Sequence, residues 1–98
     1  MDFKVILMSV AIKDLEGITS RIAKDDNQIA ERFGNELIDR TLPLSTFPEM
    51  GRVAPEFNDP TIREIIHDPY RILYRVRRTA REIHVLRFWH AARGKPSV

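Results

Sequence analysis

Residues 70–77, Tyr-Arg-Ile-Leu-Tyr-Arg-Val-Arg, and residues 82–90, Glu-Ile-His-Val-Leu-Arg-Phe-Trp-His, decide the fold of this chain. Both runs are rich in β-branched and aromatic residues, and the four residues between them are typical of a hairpin loop. Side chains alternate between the two faces of a strand, so one parity of residues 70–77 should meet a core. The core-facing set is predicted to be Tyr70, Ile72, Tyr74 and Val76. The opposite set is predicted to be Arg71, Leu73, Arg75 and Arg77.

The sequence ahead of this hairpin predicts one strand and two helices. Residues 3–8 form a short apolar run that favours a buried strand, and Ser9 is expected to cap the helix that follows. Residues 25–27 interrupt the helical pattern and offer side-chain caps for a second helix. The apolar stripe of the first helix is predicted to be Ala11, Leu15, Ile18 and Ile22. That of the second is predicted to be Ile29, Ala30, Phe33 and Leu37.

The rest of the chain completes an α+β fold. Residues 43–60 hold four prolines and are expected to form a connection with at most a short edge strand, whereas residues 61–67 predict a strand. The tail, residues 91–98, is expected to fray. The resulting order is β-α-α-β-β-β, with a helical hairpin on one face of a mostly antiparallel four-stranded sheet. Residues 1–98 are expected to form one domain.

Composition and charge narrow the possible functions. The chain has 98 residues and no cysteine, so disulfide and thiolate chemistry are excluded and a cytoplasmic location is expected. No apolar run is long enough to span a membrane. Residues 1–50 carry six Lys/Arg and nine Asp/Glu, whereas residues 51–98 carry ten and five, which makes the C-terminal half basic. This half is expected to meet an anionic partner, although an arginine-rich solvated surface would look the same.

Several arginines and one histidine are the candidate site residues. Parity places Arg71 and Arg75 on one face of the sheet, and we expect Arg63 and Arg87 to join them there. His90, at the end of the last strand, is either a packing residue or a general acid–base group. For Tyr74 and Trp89, the two alternatives are packing in the core or an interface and stacking on a base. No cofactor or metal is expected, because the glycines form no phosphate loop and the histidines lack ligand spacing.

A set of short motifs appears in a familiar order. The motifs are Ala11-x-x-Asp14-Leu15-x-x-Ile18, Ile22-Ala23-x-Asp25, Pro48-x-x-Gly51-Arg52, Arg63-Glu64, residues 70–76, and Ile83-x-Val85-Leu86-Arg87-x-x-His90-x-x-Arg93. Together they resemble the RelE/ParE superfamily of toxins from bacterial type II toxin–antitoxin systems, also called plasmid stabilisation proteins. The resemblance covers residues 10–93 and implies the same β-α-α-β-β-β order.

The resemblance implies a cytoplasmic growth inhibitor that a cognate antitoxin neutralises in a hetero-oligomeric complex. ParE-like members inhibit DNA gyrase, and RelE-like members cleave mRNA at the ribosome without a metal. The chain lacks the lysine cluster and C-terminal tyrosine of the best-studied nucleases, which favours the gyrase role. If the chain cleaves RNA, the resemblance gives the catalytic roles to Arg71 and His90. Target binding is expected from Arg52, Arg63, Arg75, Arg87 and Arg93. A non-toxic basic binding module is the third possibility.

Overall fold

The computed structural model describes residues 2–98 and has the predicted order of elements with one additional strand. The elements are β1 (Lys4–Leu7), α1 (Ser9–Ala23), α2 (Asn27–Asp39), β2 (Arg52–Val53), β3 (Ile62–His67), β4 (Tyr70–Arg77) and β5 (Glu82–His90). Single 3₁₀ turns cover Leu42–Ser45 and Ala91–Arg93. The β4–β5 hairpin has the bounds that the sequence predicted.

The strands form one mixed sheet in the order β1-β5-β4-β3-β2. β1 runs parallel to β5, and the other pairs are antiparallel. The α+β class is therefore confirmed, but the predicted number of four strands was too small. The fifth strand arises because Arg52 and Val53 pair with Glu64 and Arg63 at the edge of β3.

The helix face of the sheet carries the larger hydrophobic core. Tyr70, Ile72, Tyr74 and Val76 are at most 7% exposed and pack in one cluster with residues of α1 and α2, as the parity of β4 predicted. Ala11 and Ile18 are buried in the same cluster. Burial of such side chains contributes on the order of 1.5–3 kcal/mol each, which makes this layer the main source of stability.

The two helices begin differently. Asp26 accepts hydrogen bonds from the backbone N–H groups of Gln28 and Ile29 and so caps α2 as predicted. The predicted cap of α1 was wrong, because Ser9 is the first helical residue and no side chain caps the helix. The N–H of Met8 donates instead to the carbonyl of Val85, which ties the start of α1 to β5.

One parity prediction was wrong, whereas Arg87 does join Arg71 and Arg75 on their face of the sheet. Arg63 lies opposite Tyr74 and therefore on the helix face, not beside Arg71. In β5, Leu86 is an extra residue, since Arg87 pairs with Leu73 and Val85 pairs with Tyr74. This bulge reverses the parity within the strand. As a result, Ile83, Val85, Phe88 and His90 share the helix face, whereas Arg87 and Trp89 lie on the opposite face, which we call the outer face.

A smaller hydrophobic cluster covers part of the outer face. Its members are Ala54, Ile62, Leu73 and Trp89, with Phe57 and Leu86 packed against them. The loop between β2 and β3 supplies Ala54 and Phe57, so this loop covers part of the face that the helices do not cover. The position of this loop determines the environment of Arg71.

The tail does not fray, contrary to the prediction. The Trp89 indole N–H donates to the carbonyl of Gly94 at 3.1 Å, and Arg87 Nη1 donates to the carbonyl of Ser97 at 2.9 Å. Pro96 is buried. These contacts hold the tail against the end of β5.

Candidate functional site

Arg71 lies on the outer face of β4 with its guanidinium group held by two carboxylates. Its Nε donates to Glu64 at 2.5 Å, and its two Nη atoms donate to the two oxygens of Glu56 at 2.8 and 2.7 Å. Only 12% of the side chain is exposed. A phosphate would use the same fork of N–H groups, so Glu56 occupies the position that an anionic ligand would need.

Glu64 is the buried centre of this network. Its side chain is fully buried and also accepts from Arg52 Nε at 2.5 Å, so two guanidinium groups compensate one carboxylate. Removing such a charge from water costs several kcal/mol unless it is paired and hydrogen-bonded. The pairing of β2 with β3 places Arg52 beside Glu64 and so supplies the second partner.

The protonation equilibria agree with this geometry. The hydrogen bonds from Arg71 hold the pKa of Glu56 below its usual value, because they stabilise the carboxylate form. The same bonds, followed by those of Glu64, raise the pKa of Arg71. Both groups therefore stay charged at neutral pH, and neither is suited to exchanging a proton in a reaction.

His90 lies on the helix face and is held in place by two contacts. Its Nδ1 accepts a hydrogen bond at 3.0 Å from the N–H of Ala92, which caps the C-terminal 3₁₀ turn. Its ring packs edge-on against Tyr70, with the ring centroids 5.1 Å apart. Accepting at Nδ1 leaves the proton of a neutral ring on Nε2, so Nε2 is the nitrogen free to donate.

The sheet separates the two residues suggested for RNA cleavage. Arg71 pairs with Trp89, and His90 pairs with Tyr70, so neighbouring positions of β4 and β5 send the two side chains to opposite faces. A general acid–base group and a phosphate-binding arginine must reach one scissile phosphate. This arrangement does not bring Arg71 and His90 to a common site.

Arg75 and Arg63 lie on opposite faces of the sheet. Arg75 is on the outer face, with Nη2 3.9 Å from a carboxylate oxygen of Asp59. Arg63 is on the helix face and donates to the carbonyl of Gly51 at 2.7 Å, with the carboxylate of Glu49 at 3.7 Å. Each therefore has an acidic neighbour in the connection that precedes β3.

Arg87 connects β5 to α1. Its Nε and Nη2 donate to the two carboxylate oxygens of Asp14 at 2.8 and 3.0 Å, and these bonds raise the pKa of Arg87. Asp14 also accepts from the backbone N–H of Phe88 at 3.1 Å. β1 ends before this point, so Asp14 satisfies an N–H at the unpaired edge of β5.

The aromatic candidates are core residues. Tyr74 is fully buried; its hydroxyl donates to the carbonyl of Pro48 and accepts from the N–H of Gly51, both at 2.9 Å. Burial raises the pKa of Tyr74. Trp89 is 6% exposed, and the guanidinium of Arg93 lies 4.0 Å from the centroid of its ring. Neither aromatic ring is available to stack on a base.

A groove lies between α1 and the C-terminal end of β5, on the helix face. We call it the α1 groove; its volume is about 540 Å³. It is lined by Lys13, Asp14, Gly17, Ile18, Ser20, Arg21, Lys24, Tyr70, Phe88, His90 and Arg93. Asp14 is the only carboxylate among these lining residues, and Arg87 already binds it.

The cations of the α1 groove differ from the other candidates in lacking carboxylate partners. Among residues 2–98, no ion pair joins Lys13, Arg21, Lys24 or Arg93 to an acidic side chain. The sequence motifs include Arg93 but not Lys13, Arg21 or Lys24. Their spacing was the available signal, because residues 13, 21 and 24 fall close together around an α-helix and lie off its apolar stripe.

Two further properties of the described chain bear on function. Across residues 2–98, no group of three or more His, Cys, Asp or Glu side chains is arranged to hold a metal ion. No helix in this part of the chain has the length and apolar content that crossing a bilayer requires.

The sequence of the chain matches a model of a known protein family. A family model described as the ParE toxin of the type II toxin–antitoxin system parDE matches residues 5–94. The chain belongs to the ParE toxin family. This assignment confirms the resemblance found from the motifs and places the chain on the ParE side of the RelE/ParE superfamily. No curated protein sequence matches the chain.

Solved structures of toxin–antitoxin systems share the fold of this ParE-family chain. The chromosomal ParDE system from P. aeruginosa aligns with a TM-score of 0.75 at 20% identity, over 90% of this chain and 95% of that one. The toxin–antitoxin complex RelBE2 from Mycobacterium tuberculosis aligns with a TM-score of 0.58 at 23% identity, over 92% and 99%. At this level of identity the similarity establishes the architecture, and the target must be argued separately.

Proposed function

We propose that this ParE-family toxin stops growth by inhibiting DNA gyrase through protein contacts, and that a cognate antitoxin neutralises it in a hetero-oligomeric complex. The observation that carries the proposal is the match of the ParE toxin model to residues 5–94. The toxin–antitoxin complexes among the structural relatives support the antitoxin as partner. The proposed setting is the bacterial cytoplasm, where gyrase acts.

The geometry around Arg71 and His90 supports a non-catalytic role. A nuclease needs both a proton-transfer group and charge stabilisation at one phosphate. Arg71 donates to Glu56 and Glu64, and His90 lies on the other face of the sheet. Cleavage by this pair would require both the release of Arg71 from its carboxylates and a substrate that reaches around the sheet.

The test is tightly controlled expression of the full chain in bacteria, with DNA-damage signalling and the 5′ ends of mRNA followed together. We expect a DNA-damage response and filamentation while mRNA stays intact, and co-expression of the antitoxin should abolish both. Purified toxin should also inhibit the supercoiling activity of gyrase. Codon-phased cuts in translated mRNA without DNA damage would instead establish the ribosome-dependent nuclease.

A variant of His90 distinguishes the two targets further. If His90 were the acid–base group of a nuclease, His90→Ala would lower the rate of RNA cleavage by roughly 10²–10⁴-fold. For a gyrase inhibitor the same change should leave inhibition within a few-fold, because His90 packs on Tyr70 and caps a short turn. His84→Ala in β5 is a control for general damage to this strand.

A further inference from the structure

The α1 groove has a row of cations along its helical wall. α1 contributes Lys13 and Arg21, and Lys24 directly follows the last residue of the helix. Lys13 and Lys24 are eleven positions apart in the sequence, which corresponds to about 16 Å along a helix. Arg93 also lines the groove, but its guanidinium lies 4.0 Å from the centroid of the Trp89 ring, which belongs to the outer face. Such a row of positive charge can follow an extended polyanion.

The apolar side chains of the groove indicate which kind of polyanion it can bind. Ile18, Tyr70 and Phe88 line it but are only 3%, 7% and 2% exposed. A disordered acidic protein segment that folds on binding must bury apolar side chains to offset its ordering entropy, and this groove offers it few anchors. Exposed apolar side chains lie outside the groove lining, at Val10 and Ile12 near the start of α1 and at Phe47 and Met50 between α2 and β2. A phosphate backbone needs no apolar anchor.

The groove also lacks the features that read bases. The rings of Tyr70 and Phe88 are buried, so they offer no stacking surface of the kind that single-stranded nucleic acids use. Its cations are exposed lysines and arginines, which suit phosphate oxygens. Gly17 leaves the middle of the α1 wall open, because a Cβ atom there would meet nothing within 4 Å. Binding should therefore depend on salt and be independent of sequence.

We propose that the α1 groove binds the phosphodiester backbone of duplex DNA. The proposal deepens the proposed function and rests on it for its setting, since gyrase holds duplex DNA and a toxin bound beside it would meet that backbone. In this arrangement the toxin contacts both gyrase and the DNA that gyrase carries. The groove itself is a property of the toxin alone, so its binding can be measured without gyrase.

The test measures binding of the purified full-length toxin to a fluorescein-labelled 20-base-pair DNA duplex by anisotropy, between 50 and 200 mM NaCl. The groove variant combines Lys13→Gln, Arg21→Gln and Lys24→Gln. The matched control combines Lys4→Gln, Arg32→Gln and Arg77→Gln, which removes the same charge from exposed positions outside the groove. Circular dichroism confirms that both variants are folded.

The binding measurements have one supporting outcome and three that overturn the proposal. We expect the groove variant to lose roughly tenfold or more in affinity at 100 mM salt and to lower the slope of log K against log salt by about 2–3. The control should stay within about twofold. Equal weakening of both variants, or no binding by the wild type, would overturn the proposal. So would a groove variant that binds DNA normally but loses affinity for the antitoxin, since the groove would then serve an acidic protein.

A supercoiling assay separates this proposal from the proposed function. If the toxin inhibits gyrase but the groove variant binds DNA as the wild type does, the DNA proposal fails and gyrase inhibition stands. If the toxin binds DNA through the groove but leaves supercoiling unchanged, gyrase inhibition fails and the DNA site stands.

Discussion

The outer face of the sheet and the α1 groove both carry several cations, but they differ in what those cations touch. On the outer face, Arg71 and Arg52 bind the buried Glu64, and Glu56 completes the network. In the groove, the exposed lysines and arginines have no carboxylate within ion-pair distance among residues 2–98. The first arrangement stabilises the fold, and the second leaves charge available to a partner. Counting arginines in the sequence does not separate the two.

The largest expected effect comes from breaking the outer network at its centre. Arg71→Met leaves the buried carboxylate of Glu64 with only the exposed Arg52 and leaves Glu56 unpaired, so the free energy of unfolding should fall by about 3 kcal/mol. Urea unfolding measures it. Arg21→Met in the groove is the matched control, since Arg21 is exposed and has no ion-pair partner within residues 2–98; its free energy of unfolding should stay within about 0.5 kcal/mol of the wild type. Equal losses would remove the distinction between the two regions.

A pair of glycines compares the packing around the core residue Tyr74 with that of the α1 groove. A Cβ at Gly51 would lie 2.5 Å from the carbonyl oxygen of Glu64 and 2.7 Å from the hydroxyl of Tyr74, so Gly51→Ala should destabilise by about 2 kcal/mol. Gly17→Ala meets nothing within 4 Å and replaces glycine inside a helix, so it should stabilise by roughly 0.5–1 kcal/mol. The free energies of unfolding of both variants can be compared by thermal or urea unfolding. Opposite signs are expected, and a destabilising Gly17→Ala would show that the groove is closed to a Cβ.

Weakening the link between the outer face and the α1 groove should have a smaller effect on stability. Arg87 forms a fork with both oxygens of Asp14, which a lysine cannot reproduce, so Arg87→Lys should cost about 1 kcal/mol. Arg77→Lys, at an exposed position of β4, is the control and should change the free energy of unfolding by less than about 0.5 kcal/mol. If Arg87→Lys were neutral, the pair would be a surface contact that does not hold α1 to β5.

The sequence predicted those parts of the fold that local pattern encodes. The apolar stripe of α1 and the alternation in β4 each appear within a few residues, and both were confirmed. β3 was harder because isoleucines occur on both of its faces: Ile62 packs on the outer face and Ile65 on the helix face. The alternation in such a strand does not indicate its orientation, and Arg63 was therefore placed on the wrong face.

The remaining differences between the predicted and the observed structure come from contacts between residues that are distant in the sequence. The bulge at Leu86 depends on how β4 and β5 pair, and no local residue pattern predicts its position. The partner of Arg87 lies 73 residues earlier in the chain, at Asp14. Glu56 reaches Arg71 only because the loop between β2 and β3 folds over the outer face. Which cations are compensated therefore depends on tertiary structure, although their positions in the sequence are visible.

The smallest expected effect is the pH dependence of the outer network. The folded-state pKa of Glu56 lies below the ordinary value of 4.5, so its contribution to stability is present above about pH 4.5 and is lost as the pH falls through the folded pKa. The carboxylate is partly exposed, so this contribution should be less than about 1 kcal/mol. Glu56→Gln should therefore lose less stability than the wild type when urea unfolding is compared between pH 6 and pH 3. The Lys13→Gln variant, which changes only the groove, should follow the wild-type curve, because lysine does not titrate in this range. If Glu56→Gln and the wild type lost stability in parallel, the bond between Glu56 and Arg71 would contribute nothing. The outer face would then resemble the groove in leaving Arg71 open to an anion.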